Sequence, residues 1–153
     1  MRDTVDILGV FVDRGSMYDA VGKSVEFIKN GGAVFTPNPE IIMRAYREPK
    51  FKELLNKADM IIPDGIGVVI ASRMLRKPVK ERVAGYDLTC NMLRYCAKNN
   101  ISVYIFGGKP GVAAQAGEII AKDFGVKVCG TEHGYHKDTA FVIDDIKNKK
   151  PGL

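Results

Sequence analysis

Cysteine and histidine are scarce in this chain, and long apolar runs are missing. The 153 residues hold three cysteines, Cys90, Cys96 and Cys129. An odd number with no Cys-x-x-Cys pair gives neither a disulfide framework nor a zinc ribbon, and points to a reducing, cytoplasmic setting. No stretch approaches the length of a membrane-spanning helix. The opening Met1-Arg2-Asp3-Thr4-Val5-Asp6 carries acids, and the apolar run behind it is too short for a secretory leader. Membrane contact is therefore expected to be peripheral. There is no Asp-x-Asp, the usual means by which a nucleotide-sugar enzyme holds a divalent ion. The two histidines, His133 and His136, sit three apart near Cys129 and fit no zinc template. No metal and no cofactor are expected. The glycine-rich stretch Gly107-Gly108-Lys109-Pro110-Gly111 has no Lys-Ser/Thr pair after it, so it is not a P-loop. It also lacks the full Gly-x-Gly-x-x-Gly spacing of a dinucleotide site. Repeats, low-complexity tracts and linkers are absent, and 1–153 reads as one domain.

The chain does have enough length for a sizeable core, 46% hydrophobic and 27% charged residues, and a formal charge of +5. The positive excess suits an anionic substrate, an acidic membrane surface or nucleic acid. The basic residues are scattered and no DNA- or RNA-binding motif is present, which sets nucleic acid aside. Homo-oligomerisation is left open.

Periodicity predicts an α/β fold, Rossmann-like, with a mostly parallel sheet flanked by helices and a small N-terminal strand or hairpin element. Val5 to Val12 reads as that element. Met17, Ala20, Val21, Val25 and Ile28 keep a helical period up to Asn30-Gly31-Gly32. Ala33 to Thr36 is a short strand, Pro39-Glu40 begins a helix, and Pro49 breaks it. Phe51, Leu54, Leu55 and Ala58 form another helical face. Met60 to Pro63 is a buried strand, followed by a helix from about Gly65 to Leu75. Asp87 can cap a helix whose inner face is Leu88, Met92, Tyr95 and Cys96. Ile101 to Phe106 and Val126 to Cys129 are strands. Between them lies a helix with Val112, Ala113, Ala116, Ile119 and Ile120 inward. Thr139 to about Lys147 is a last helix.

The stretch Met60-Ile61-Ile62-Pro63-Asp64-Gly65-Ile66-Gly67 organises the candidate chemistry. Ligands of open α/β sheets sit outside the carboxyl ends of the strands, and Asp64 falls there. Gly65 and Gly67 would allow a ligand close to the backbone. Asp64 is then a candidate general base; the alternative is a cap for the helix that follows it. In Thr36-Pro37-Asn38-Pro39-Glu40 each proline holds its predecessor extended. Thr36 and Asn38 then project from a stiff loop, and Asn38 also suits an N-cap before Pro39. Arg82, ahead of Val83-Ala84-Gly85-Tyr86-Asp87, offers a guanidinium suited to phosphate, or is merely solvated. Gly107, Gly108 and Lys109 precede a helix whose free N–H groups could meet an anion. Tyr135 could stack on a base or cover the core edge. All fall in loops or at strand ends, and the expectation is that they face Asp64.

Taken in order, Thr36-Pro37-Asn38, Asp64-Gly65-Ile66-Gly67, Arg82 to Asp87, Gly107 to Gly111 and Gly134-Tyr135 resemble the WecG/TagA/CpsF glycosyltransferases, most of all the TagA-type members. The resemblance covers nearly the whole chain. It implies transfer of N-acetylmannosamine from UDP-N-acetylmannosamine to the 4-hydroxyl of undecaprenyl-diphosphate-linked N-acetylglucosamine. That transfer inverts the anomeric centre, builds a β-1,4 linkage of wall teichoic acid, and takes place at the inner face of the cell membrane. It implies that Asp64 and Thr36 are catalytic, with Asp64 as base. Asn38 would line the sugar site with Thr36, Arg82 would approach the acceptor or the diphosphate, and Gly107, Gly108, Lys109 and Tyr135 would lie on the nucleotide side. Members of the family continue past Leu153 with a strand, a Pro-Lys-Gln-Glu-like segment and a basic part, expected to supply active-site groups and membrane contact. The rival readings are a non-catalytic nucleotide-binding module and an NAD-dependent oxidoreductase.

Overall fold

A computed structural model describes residues 2–153. The chain divides into two compact units, the first ending at Thr89 and the second running Cys90–Leu153.

The first unit opens with an antiparallel hairpin, β1 (Thr4–Ile7) and β2 (Val10–Asp13), in which Val5 faces Val12 and Ile7 faces Val10. Alternation places all four valines and isoleucines in the core, each at 5% exposure or less. The turn is Leu8-Gly9, both with positive φ (55° and 86°), as a tight two-residue hairpin turn demands. Helix α1 (Met17–Asn30) starts at a capping box, Ser16 and Asp19 each bonding the other's backbone N–H. The Ser16 N–H and then Lys80 hold the Asp19 carboxyl well below the usual carboxylate range. A parallel pair follows, β3 (Val34–Phe35) and β4 (Met60–Ile61), in the register Val34–Met60 and Phe35–Ile61. Between these strands run α2 (Pro39–Arg47) and α3 (Pro49–Asn56), each opened by a proline at a position whose N–H has no helical partner. Helix α4 (Ile66–Met74) leaves β4 through Gly65. Core residues Ile42, Ala45, Leu55, Ile61, Val68 and Val79 close over the hairpin.

Helix α5 (Gly85–Lys98) carries the chain from the first unit into the second. It begins two residues before Asp87, which sits in the first turn instead of capping it. Strands β5 (Val103–Phe106) and β6 (Val128–Glu132) pair in parallel, with α6 (Val112–Phe124) between them and α7 (Ala140–Lys149) after. The architecture is α/β and Rossmann-like. Among the described residues the hydrogen-bonded strands form three two-stranded sheets, two of them parallel.

One boundary and one buried face differ from the expectation. The last strand lies two to three residues later than Val126–Cys129. Gly125 caps α6 in the left-handed region (φ 66°), Val126 is spent in the core, and the ladder runs on until Gly107 N–H reaches Glu132 O at 2.9 Å. The buried face of α6 is Ala113 and Gly117, while Val112 and Ile119 are 49% and 59% exposed. Small residues win because the helix lies close on β6: a Cβ on Gly117 would stand 2.9 Å from Thr131 Cγ2.

In the second unit Tyr104 donates its hydroxyl to Asp145 (2.8 Å), and Lys149 pairs with the same carboxylate (3.0 Å). Burial first, and then Asp145, push the Tyr104 phenol up to about 12. Lys149 first, and then Tyr104, hold Asp145 below its ordinary value. Folded Tyr104 keeps its proton where an unfolded tyrosine loses it, so its contribution is complete below about pH 10 and fades as pH rises toward 12. Asp145 acts in the opposite direction and loses its contribution as pH falls through the acid range. Melting temperature against pH is expected to show both losses. Tyr104→Phe should flatten the alkaline one, and an unchanged alkaline limb in that variant would contradict the assignment.

Candidate active site

The parallel pair sets up one cluster. The ladder continues one bond past the assigned strands, Ile62 N–H to Phe35 O at 2.9 Å. Pro37 and Pro63, both fully buried, then end it, since neither can donate. Thr36 and Asn38 leave β3 at the same edge at which Asp64 leaves β4. Val83 N–H bonds Pro63 O (3.2 Å) and draws the segment from Arg82 to Gly85 to that edge.

Asp64 does not cap α4. Gly65 occupies the N-cap position with φ 97°, and no side chain bonds the first turn. The Asp64 Oδ2 instead accepts the N–H of Gly85, the first residue of α5, at 3.2 Å. Its Oδ1 lies 3.9 Å from the Arg82 guanidinium, with the two side chains 28% and 55% exposed. An ionised carboxylate can accept about four hydrogen bonds. One N–H and one distant guanidinium leave acceptor capacity open to solvent.

Asn38 does cap: its Oδ1 accepts from Ile41 N–H at 2.9 Å. That leaves its NH2 group to donate elsewhere. Exposed Thr36 makes no side-chain hydrogen bond among the described residues, and its side chain lies against Gly85. An apolar pocket of about 220 Å³ opens beside it, between Phe35, Ile41, Phe51 and Leu54. Thr36, Asn38, Asp64 and Arg82 therefore lie together at one edge of the first unit.

Sequence reasoning missed the part glycine plays here. A Cβ on Gly85 would stand 2.9 Å from Thr36 Cγ2, and one on Gly67 would stand 2.7 Å from Pro39 Cγ. Gly67 has no positive φ. It lets α2 and α4 approach closely.

A second cluster lies in the second unit. Gly107 and Gly108 have φ of 132° and 71°. Gly107 N–H bonds Glu132 O, and Gly134 N–H bonds Gly108 O at 2.9 Å, so the loop after β5 and the loop after β6 run together. A Cβ on Gly134 would lie 3.3 Å from Gly107 Cα. Lys109 and Tyr135 both stand exposed, Tyr135 at 69%. No side chain caps α6, whose N-cap is Gly111.

The two histidines join Glu132 here, with ligand-type atoms within 4.8 Å of one another. Nothing in their spacing indicated that. Their rings stack at 3.8 Å with planes 12° apart, so the in-plane lone pairs do not converge on one point. His136 Nε2 is engaged with Glu132 at 2.7 Å, and His133 Nδ1 accepts the Tyr135 N–H at 3.1 Å. As it stands the trio is a hydrogen-bonded stack.

The profile of the glycosyl transferase WecG/TagA/CpsF family matches residues 5–153. The chain belongs to that family. Among curated relatives, an N-acetylglucosaminyldiphosphoundecaprenol N-acetyl-beta-D-mannosaminyltransferase of Bacillus spizizenii is 37% identical over 124 residues, covering 80% of this chain and 48% of the relative. A Bacillus subtilis protein of the same name is 30% identical over 126 residues, with 82% and 49% covered. One from Staphylococcus aureus is 32% identical over 152 residues, with 96% and 60% covered. The chain thus spans about half the length of the first two relatives and 60% of the third. Among the described residues no helix is long and apolar enough to cross a membrane.

Gly85→Ala is expected to force Thr36 aside and loosen the Asp64–Gly85 contact. Overpacking of this kind costs about 1–3 kcal/mol, read as a drop in melting temperature of several degrees. Gly22→Ala, exposed in α1 with nothing near its missing Cβ, should do the reverse, by about 0.5–1 kcal/mol. Equal behaviour of the two variants would show that the Thr36 contact carries no weight.

Proposed function

We propose that this chain is the core of an inverting glycosyltransferase that moves N-acetylmannosamine from UDP-N-acetylmannosamine to the 4-hydroxyl of polyprenyl-diphosphate-linked N-acetylglucosamine. The observation that carries this reading is Asp64: a half-buried carboxylate at the carboxyl edge of a parallel pair, held by one N–H, with acceptor capacity to spare. The names of the relatives support the two sugars and the lipid diphosphate.

In the proposed step the acceptor 4-oxygen attacks the anomeric carbon while Asp64 takes its proton. The bond to the UDP oxygen breaks on the opposite face, which inverts the centre. The free hydroxyl of Thr36 and the NH2 of Asn38 orient the sugar. Arg82, its guanidinium 3.9 Å from Asp64, approaches the acceptor or the diphosphate. The second unit, taken by itself, offers N–H groups to a diphosphate at the uncapped start of α6 behind Gly107, Gly108 and Gly111, with Lys109 adding a positive charge and Tyr135 an aromatic face. No step calls for a metal. The work would take place at the cytoplasmic face of the membrane, where a polyprenyl acceptor presents its head.

UDP is expected to raise the melting temperature, by linkage, and NAD is not. Stabilisation by NAD as large as by UDP would favour an oxidoreductase.

Asp64→Asn separates catalysis from packing. The asparagine Oδ1 can still accept from Gly85, so the melting temperature should move by only a few degrees, a change of under about 1 kcal/mol. UDP binding should stay close to wild type. Transfer, measured in a protein of the relatives' full length, should fall by about 10²–10⁴, as for loss of a general base. Near-normal turnover would return Asp64 to a purely structural role.

A further inference from the structure

In the sequence His133 and His136 stand three apart without a third ligand. The fold supplies one. Strand β6 runs on to Glu132 and delivers its carboxylate beside both rings, so that one donor atom from each of the three residues lies within 4.8 Å of the others. All three residues are half-buried. The set is two imidazoles and one carboxylate, which suits zinc and its first-row neighbours and suits magnesium or calcium poorly. Donors at neighbouring corners of a tetrahedral zinc site stand about 3.4 Å apart, given zinc–ligand distances of about 2.1 Å. The trio is within reach of one ion once the rings leave their stack.

Three features favour that exchange. Donor capacity is to spare: among the described residues His133 uses only Nδ1, His136 only Nε2 and the Glu132 carboxylate only one oxygen in hydrogen bonds. The charge is uncompensated. Glu132 has no ion-pair partner among the described residues except His136, which is a cation only when protonated. A divalent ion on neutral imidazoles gives this half-buried carboxylate the counter-charge it lacks. Last, the backbone that carries the ligands is already fixed. Glu132 O accepts the Gly107 N–H and Gly134 N–H donates to Gly108 O, each at 2.9 Å, so the loop after β5 holds His133 on both sides. His136 rests edge-on against Phe141 of α7, with ring centroids 4.7 Å apart. His133 is thus the ring that turns, about its side-chain bonds alone.

We propose that Glu132, His133 and His136 form a three-ligand site for a zinc-class divalent ion, with at least one coordination position left to water. Binding exchanges the ring stack and two hydrogen bonds for three coordinate bonds. One of those hydrogen bonds runs from the Tyr135 N–H to His133 Nδ1 at 3.1 Å, so filling the site resets the amide of Tyr135. The ion takes no part in the transfer proposed above. Asp64 belongs to the first unit and this trio to the second, and the two readings stand or fall separately.

The test is thermal melting of the whole chain, stripped of metal with EDTA and exchanged into clean buffer, against added Zn²⁺ or Mg²⁺. Zn²⁺ should raise the melting temperature by linkage, renewed EDTA should reverse the rise, and Mg²⁺ at the same concentration should have no effect. Co²⁺ should give saturable one-to-one visible absorption that Zn²⁺ displaces. Loss of a ligand costs at least what loss of an outer-shell partner does, so Glu132→Gln and His133→Ala should each weaken Zn²⁺ binding about tenfold or more. His136→Phe removes the donor but keeps a flat ring against His133 and Phe141, so weaker binding in that variant does not reflect lost packing. In a ¹⁵N correlation spectrum the Tyr135 amide should move when Zn²⁺ is added. No saturable response to Zn²⁺ overturns the proposal, and so does equal stabilisation by Mg²⁺. Zn²⁺ binding unchanged in Glu132→Gln would reduce the trio to a surface histidine pair, and binding unchanged in His133→Ala or His136→Phe would put the ion elsewhere; either result overturns the site. An unmoved Tyr135 amide overturns the coupling.

Discussion

Two prolines decide what the parallel pair can present. Backbone pairing between β3 and β4 would otherwise continue, carrying Asn38 and Asp64 into a sheet where their side chains would alternate between its faces. Pro37 and Pro63 stop it on both strands. In the register Phe35–Ile61, counting on sets Pro37 beside Pro63 and Asn38 beside Asp64. Both prolines are fully buried, so the stop is anchored in the core. Polar side chains then emerge together at an edge where the backbone is no longer committed to its neighbour. That edge can take up helix starts on one side and a ligand on the other.

The position of β4 depends in turn on one buried charge. Asp13, 4% exposed at the end of β2, accepts the Ile61 N–H at 2.8 Å and is paired with Arg2 (2.5 Å) and Lys23 (3.6 Å). A buried carboxylate is tolerable only with such partners. β3 pairs with β4 on one side, and the Asp13 side chain fixes the Ile61 amide from the hairpin. The hairpin therefore fixes the height of β4, and so the height of Asp64, without contributing a residue to the site.

Local features of this design were legible in the sequence, and long-range ones were not. The hairpin, the α1 stop at Asn30-Gly31, the Asn38–Pro39 helix start and the glycine loop after β5 each follow from turn and cap chemistry within a few residues. The partner of Asp64 does not. Its carboxylate could be read only against the helix next to it in sequence, whereas the N–H that it accepts belongs to Gly85, 21 residues on. The buried face of α6 was placed only in part, for a related reason: Ala113 is inward as expected, but counting large apolar residues favours Val112 and Ile119, whereas close approach to Thr131 selects Gly117. Glu132 joins the two histidines only because β6 runs three residues beyond its expected end.

The same reasoning changes what the glycines of the candidate motifs mean. Gly67 against Pro39 and Gly85 against Thr36 each hold two segments closer than a Cβ would allow, and Gly134 against Gly107 is nearly as tight. They are spacing devices within the protein first. A ligand profits indirectly, because a tight approach leaves little freedom to the polar groups beside it. Thr36 is pinned by Gly85, and the N–H of that same glycine holds Asp64. Catalytic geometry of this kind needs its groups fixed to within about 0.5 Å. A glycine contact and a single N–H, working from one residue, fix a hydroxyl and a carboxylate relative to each other. The pattern Arg-Val-Ala-Gly-Tyr-Asp therefore reads best as a clamp, its glycine holding Thr36 and Asp64 together and its arginine standing 3.9 Å from the same carboxylate.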